Sequence, residues 1–262
     1  MLFDTHIHTD FSTDSRMLIA DAISAAHKAG IGVIVTEHMD LAYPGEPEAF
    51  VFDVNKYFAE YGPLRGRDLL LGIEMGMRVD CLEDNRRIAG QHSFDYIIGS
   101  IHVVDDIDIY RPDFYINRPK FEVFGRYFTA MKECLKAYDF IHALGHIDYI
   151  SRYARYDDNE VHYREFSDIM DEILRLVIDK GIALEINTRR LDTRARIEDL
   201  LPIYQRYAEL GGIMVTIGSD AHRADEVGRR LSVGMGMAEF CGLRPVYFKE
   251  GRPEKMKMPV RD

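Results

Sequence analysis

The sequence predicts an α/β barrel of parallel strands. Short runs rich in Ile, Val and Leu recur along the chain, and most are followed by a longer segment with helical spacing. The units repeat at about 37 residues over 262, matching the roughly 250 residues of a typical barrel. An open doubly wound sheet is the alternative layout for the same alternation. No Gly-, Ser- or Pro-rich tract interrupts the chain, so residues 1–262 are expected to form a single domain.

Seven strands are expected, at Leu2 to His6, Gly32 to Thr36, Leu69 to Ile73, Tyr96 to Gly99, Phe140 to Leu144, Ile182 to Ile186 and Ile213 to Ile217. Amphipathic helices are expected near Leu18 to Ala29, Val54 to Tyr61, Leu82 to Gln91, Phe121 to Lys136, Val161 to Lys180, Arg196 to Leu210 and Asp225 to Phe240. Gly30 and Gly181 stand where a helix-ending glycine belongs. Two connections are long, Met39 to Phe52 and Val103 to Pro119, and both are rich in carboxylates and aromatics. The basic, Pro-containing tail from 243 to 262 matches no element.

A net charge of −11 opposes binding to long nucleic acids, whose affinity rests on phosphate neutralisation by Lys and Arg. A small phosphorylated substrate remains compatible, provided that bound cations supply a local positive centre. The three cysteines, Cys81, Cys134 and Cys241, lie far apart and suggest neither a disulfide framework nor a thiolate zinc site, which fits a reducing cytoplasm. Residues 1–10 lack the apolar run of a signal peptide, and no run approaches the roughly 20 residues that span a bilayer. A cytoplasmic protein without membrane contact is therefore expected. Oligomeric state leaves no mark in the sequence.

Metal-ligand residue types gather at the strand ends. His6 and His8 close the first strand, two residues apart and so on one face. Glu37-His38 follows the second strand, Gly72-Ile73-Glu74 the third, Gly99-Ser100-Ile101-His102 the fourth and Gly145-His146-Ile147-Asp148 the fifth. The seventh ends in Ser219-Asp220-Ala221-His222. Strand C-termini converge in a barrel, so these scattered residues would meet, and imidazole with carboxylate suits zinc, manganese or iron. His27, His92 and His162 fall at helix or helix-end positions and are read as surface histidines, while His142 inside the fifth strand reads as a core histidine or a partner of a ligand.

Taken in order, with Asp14-Ser15 after the first pair, these motifs resemble the PHP (polymerase and histidinol phosphatase) superfamily from residue 4 to residue 222. The resemblance implies a distorted (β/α)7 TIM-like barrel and a centre of two to three divalent metal ions. It would place His6, His8, Glu74 and Asp220 on one ion, with Glu74 bridging to a second held by His102 and His146. Asp14, His38 and His222 would hold a third. Within the superfamily, Gly99 to Asp105, Gly145 to Asp148 and, in part, Glu185-Ile186-Asn187-Thr188 look most like histidinol-phosphate phosphatases, where Arg189 and Arg190 replace the small residues that often follow.

The implied activity is phosphomonoester hydrolysis, with L-histidinol phosphate as leading substrate in histidine biosynthesis. Glu74, His102 and Asp220 would be the catalytic residues, acting through metals that activate water and neutralise phosphoryl charge. Arg152, Arg189 and Arg190 follow the fifth and sixth strands and are candidate phosphate ligands, since guanidinium binds phosphoryl oxygens in bidentate fashion. The acidic, aromatic long loops suit a cationic amine and an imidazole ring. Competing readings are a PHP phosphoesterase for nucleotides or other small phosphate esters, a metal-dependent amidohydrolase and a non-catalytic PHP module.

Overall fold

The computed structural model describes residues 1–257. Its strands are β1 (Phe3–Ile7), β2 (Gly32–Met39), β3 (Leu69–Gly76), β4 (Tyr96–Ser100), β5 (Val103–Val104), β6 (Ile107–Asp108), β7 (Ala143–Leu144), β8 (Ala183–Asn187), β9 (Met214–Gly218), β10 (Arg244–Lys249) and β11 (Arg252–Lys255). Its α-helices are α1 (Ile19–Ala29), α2 (Val54–Tyr61), α3 (Leu82–Ala89), α4 (Lys120–Ala137), α5 (Ser167–Asp179), α6 (Arg194–Glu209) and α7 (Leu231–Phe240). β1, β2, β3, β4, β7, β8 and β9 pair in that order, all parallel. Helices cover the outside, so a strand such as Leu69–Gly76 is buried along its whole length and reads as a continuous apolar run.

The barrel is not closed by a ladder between β1 and β9. Only the segment just past β9 reaches β1, through an isolated bridge with Asp220 N–H to His6 O at 2.7 Å and His8 N–H to Ala221 O at 2.8 Å. At the N-terminal end β10 pairs with β9 instead, through Arg244 and Pro245. The tail that matches no element by sequence thus forms a hairpin, β10 antiparallel to β11, under the barrel. Tyr247 stacks on Phe3 at 4.1 Å and Phe248 on His142 at 5.0 Å, while Glu250 N–H donates to Asp95. Residues 258–262 of that tail lie outside the described residues.

Several boundaries differ from the sequence reading. β2 and β3 run three residues further than expected, so His38 and Glu74 lie within strands. The expected strand Phe140 to Leu144 contracts to two residues, because the Ile97 N–H donates to His142 Nδ1 at 2.9 Å rather than to a ladder carbonyl. α7 starts at Leu231 and not near Asp225, since Gly228 and Arg230 both adopt positive φ and break the turn before it. Helix α5 starts at Ser167 after a 3-10 turn at Tyr163–Glu165. The second long loop carries the small β5–β6 hairpin.

Candidate metal centre

β1 and the residue just past it deliver His6 and His8 into the barrel mouth, both fully buried. This close approach of β1 to β9 depends on Gly218, where a Cβ would fall 2.3 Å from His6 Cβ and 2.8 Å from Glu185 Oε1. Asp220 follows in a left-handed conformation, φ 56°, uncommon for a residue with a side chain and typical of functional turns. Its N–H binds β1 while its carboxylate turns toward the histidines.

Glu74 is the hub. Its Oε2 lies 3.2 Å from His6 Nε2, 3.4 Å from His8 Nε2 and 3.0 Å from His38 Nδ1. Its Oε1 lies 2.8 Å from His146 Nε2 and 3.4 Å from His102 Nε2, and accepts from the Ser100 hydroxyl at 2.7 Å. Asp220 Oδ1 stands 3.5 Å from His8 Nε2 and 4.0 Å from His6 Nε2. At the mouth Asp14 Oδ2 lies 3.1 Å from His222 Nε2 and 3.6 Å from His38 Nε2. The fold therefore gathers all nine sequence candidates into one cluster. His38 contacts both Glu74 and Asp14, and His8, His38 and His222 also form a group of their own.

The donor set fits divalent cations. Ligand atoms about 2.0–2.2 Å from a tetrahedral ion lie roughly 3.3–3.6 Å from one another. The spacings around Glu74 fall near that range. His6 Nε2 and His8 Nε2 approach to 3.0 Å while the other nitrogen of each ring is already hydrogen-bonded, His6 Nδ1 to Glu185 Oε1 at 2.7 Å and His8 Nδ1 to Ser12 Oγ at 3.1 Å. Glu74 Oε2, His38 Nδ1 and His102 Nε2 are buried without a hydrogen-bond partner, and buried polar atoms rarely go unsatisfied unless something else engages them.

The electrostatics follow from this crowding. Burial opposes charge on His6, His38 and His102, but the carboxylates outweigh it: Glu74 and Glu185 hold His6 well above its ordinary value, Glu74 and Asp14 raise His38 to about 10, and Asp40 and Glu74 raise His102. Burial, His38 and His222 push His8 down. Burial would raise Glu74 and Asp220, yet His6, His102 and His38 hold the first, and Arg152 and His6 the second, well below the usual carboxylate range.

The candidate arginines separate. Arg152 is part-buried, ion-pairs with Asp220, donates to Asn187 Oδ1 at 3.1 Å and leaves its Nε without a partner. Arg189 donates to Asp220 O at 2.9 Å and lies 3.1 Å from His222 Nδ1. Arg190 instead is locked away from the cluster by Asp148 at 2.6 Å and Glu160 at 2.5 Å.

Sequence reasoning passed over the carboxylates behind the histidines. Glu185 binds His6 Nδ1 and accepts from His146 N–H at 2.6 Å, and Asp40 Oδ1 meets His102 Nδ1 at 2.7 Å. The Glu185-Ile186-Asn187 motif was the one available signal. Of the remaining histidines, His92 bonds Asn55 and stacks on Phe58, His162 pairs with Asp158, and His142 is part-buried between the Ile97 N–H and the Phe248 ring.

A parallel barrel with a His and carboxylate cluster at its C-terminal end defines a metal-dependent hydrolase scaffold. The chain belongs to the PHP domain family, whose model matches residues 4–189. It is 50% identical to a probable histidinol-phosphatase of Clostridium acetobutylicum over 95% of this chain and 98% of that one. It is 31% identical to the histidinol-phosphatase of Lactococcus lactis subsp. lactis over 84% of each. A crystal structure of histidinol phosphate phosphatase from Lactococcus lactis, complexed with zinc, L-histidinol and phosphate, superposes with a TM-score of 0.91 at 28% identity, covering 97% of this chain and 99% of that one. Among the described residues no helix is long and apolar enough to cross a membrane.

Proposed function

We propose that the chain hydrolyses L-histidinol phosphate to L-histidinol and phosphate, using two to three divalent cations, zinc foremost with manganese and iron also compatible. The observation that carries this reading is the position of the Glu74 cluster beside a cleft of about 300 Å³. Asp14, His38 and His102 line it together with aromatic residues, among them Tyr43, Tyr110 and Tyr153, and with Asp108. A wider groove of about 850 Å³ between α4 and α5 has no ligand histidine, so size alone does not locate the chemistry. The relatives named for histidinol phosphate and the zinc, histidinol and phosphate of the Lactococcus structure support the same substrate.

In this reading His6, His8, Glu74 and Asp220 hold one ion, Glu74, His102 and His146 a second, and Asp14, His38 and His222 a third. Bound cations supply the acidity that makes water nucleophilic and the charge that neutralises phosphoryl oxygens. Arg152 and Arg189 complete the phosphate site, with the free Arg152 Nε as an available donor. The organic end meets the aromatic wall, where Asp108 provides a carboxylate for an ammonium and tyrosine faces receive a ring. The wall is held in place from behind: Tyr43 donates to Asp108, and Arg78 joins the two long loops through Ala42 O at 2.9 Å and Asp106 at 2.6 Å.

The test compares phosphomonoesters at equal concentration. Histidinol phosphate should give the highest kcat/KM, ahead of nucleotides and p-nitrophenyl phosphate, and Asp108→Asn should raise KM for histidinol phosphate while leaving p-nitrophenyl phosphate nearly unaffected. Faster cleavage of nucleotides would overturn the substrate assignment and leave a metallophosphoesterase.

A further inference from the structure

Glu37, adjacent to His38, is fully buried and holds no place in the metal cluster. Its oxygens face donors: Thr9 N–H at 3.0 and 3.1 Å, the Thr9 hydroxyl, and the Ser12 hydroxyl at 2.5 Å. Ser12 Oγ has two other neighbours, His38 N–H at 3.0 Å and His8 Nδ1 at 3.1 Å. A serine hydroxyl has one proton and two acceptor positions. The backbone N–H of His38 can only donate, so it takes one acceptor position. The carboxylate of Glu37 takes the proton. The acceptor position that remains faces His8 Nδ1, and the ring must therefore carry its proton there.

We infer that Ser12, oriented by Glu37, is a positioning residue that fixes the Nδ1–H tautomer of His8 and so keeps the His8 Nε2 lone pair directed at Glu74 and Asp220. This rests on the metal-centre reading. The same hydroxyl holds the backbone of His38, so one serine in the loop after β1 sets ligand geometry on two strands at once. Carboxylates that orient metal-bound histidines through the far ring nitrogen are usually direct partners. Here the carboxylate acts through a hydroxyl, whose two acceptor positions serve the His8 ring and the His38 backbone together.

The experiment measures zinc affinity by competition with a chromophoric chelator for the full chain and for Ser12→Ala and Ser12→Thr, with long-range nitrogen–proton NMR on the histidine rings. The inference expects Ser12→Ala to bind zinc about 10–100-fold more weakly with unchanged circular dichroism, and Ser12→Thr to recover most of the loss. It expects the His8 ring to be protonated at Nδ1 in the wild-type chain. Wild-type affinity in Ser12→Ala, a loss that threonine does not recover, or a proton on His8 Nε2 would each overturn it. A wild-type chain that binds no zinc, manganese or iron would overturn the metal-centre reading itself, a result distinct from a wild type that binds and a Ser12→Ala variant that binds equally.

Discussion

Replacing Glu185 with glutamine keeps the side-chain volume but removes the negative charge and one acceptor oxygen. The carboxylate accepts from both His146 N–H at 2.6 Å and His6 Nδ1 at 2.7 Å. Glutamine offers a single carbonyl and an amide NH2. The carbonyl must serve the His146 N–H, which cannot accept, and the NH2 then faces His6. Its ring must accept at Nδ1 and move the proton to Nε2, the atom 3.2 Å from Glu74 and 3.0 Å from His8 Nε2. A hydrogen bond to a charged group is worth about 1.5–3 kcal/mol, and each 1.4 kcal/mol is roughly tenfold in affinity. Metal should therefore bind about 10–100-fold more weakly, with kcat falling in parallel at limiting metal. Chelator competition measures the first and steady-state kinetics the second, with circular dichroism as the control for folding. Zinc affinity and kcat both within about twofold of wild type would refute the tautomer argument.

Glu74→Gln should abolish turnover while leaving the barrel folded, because it removes the negative charge shared by five histidines; near-normal activity with metals retained would show that Glu74 is not the bridge. Exhaustive chelation should abolish activity, restore it on adding zinc or manganese, and lower Tm, since a ligand at about 1,000 times its Kd adds roughly 4 kcal/mol to the folded state. Burial depresses His142 to about 4, below its unfolded value near 6.5. Its contribution is thus complete above about pH 6.5 and is lost as pH falls from there toward 4, by at most about 2 kcal/mol near pH 5. His142→Asn should flatten that part of the denaturation profile, and an unchanged slope would exclude His142 as its source.

The strands and the ligands were legible because both leave local signals. Val-, Ile- and Leu-rich runs marked four of the strands to within a residue and the starts of β2 and β3, and metal-ligand residue types stood just past most of the runs. What escaped depends on register between distant segments. Glu185 is one more buried residue of β8 until the pairing of Asn187 with Gly218 brings it beside His6. Ser12 and Glu37 lie 25 residues apart, and neither has a spacing that suggests a shared proton. Arg190 looked as free as Arg189, because Glu160, its partner, sits in an irregular loop whose path no periodicity reveals. The tail was unreadable for a related reason: β11 is exposed and carries Arg, Pro, Glu and Lys in place of an apolar run, a composition that protects an edge strand and hides it from pattern reading.

The hairpin beneath the barrel brings Lys257 N–H within 3.2 Å of Met1 O, at the end opposite Glu74. In a variant ending at Lys257, a peptide joining that residue to Met1 would need to span little distance, and new ends could be opened at the Leu210–Gly212 turn, also on that underside. Such a circular permutant should keep its catalytic mouth unobstructed. For the same reason, immobilisation on a support through Met1 would orient every molecule with its substrate entrance facing the solution.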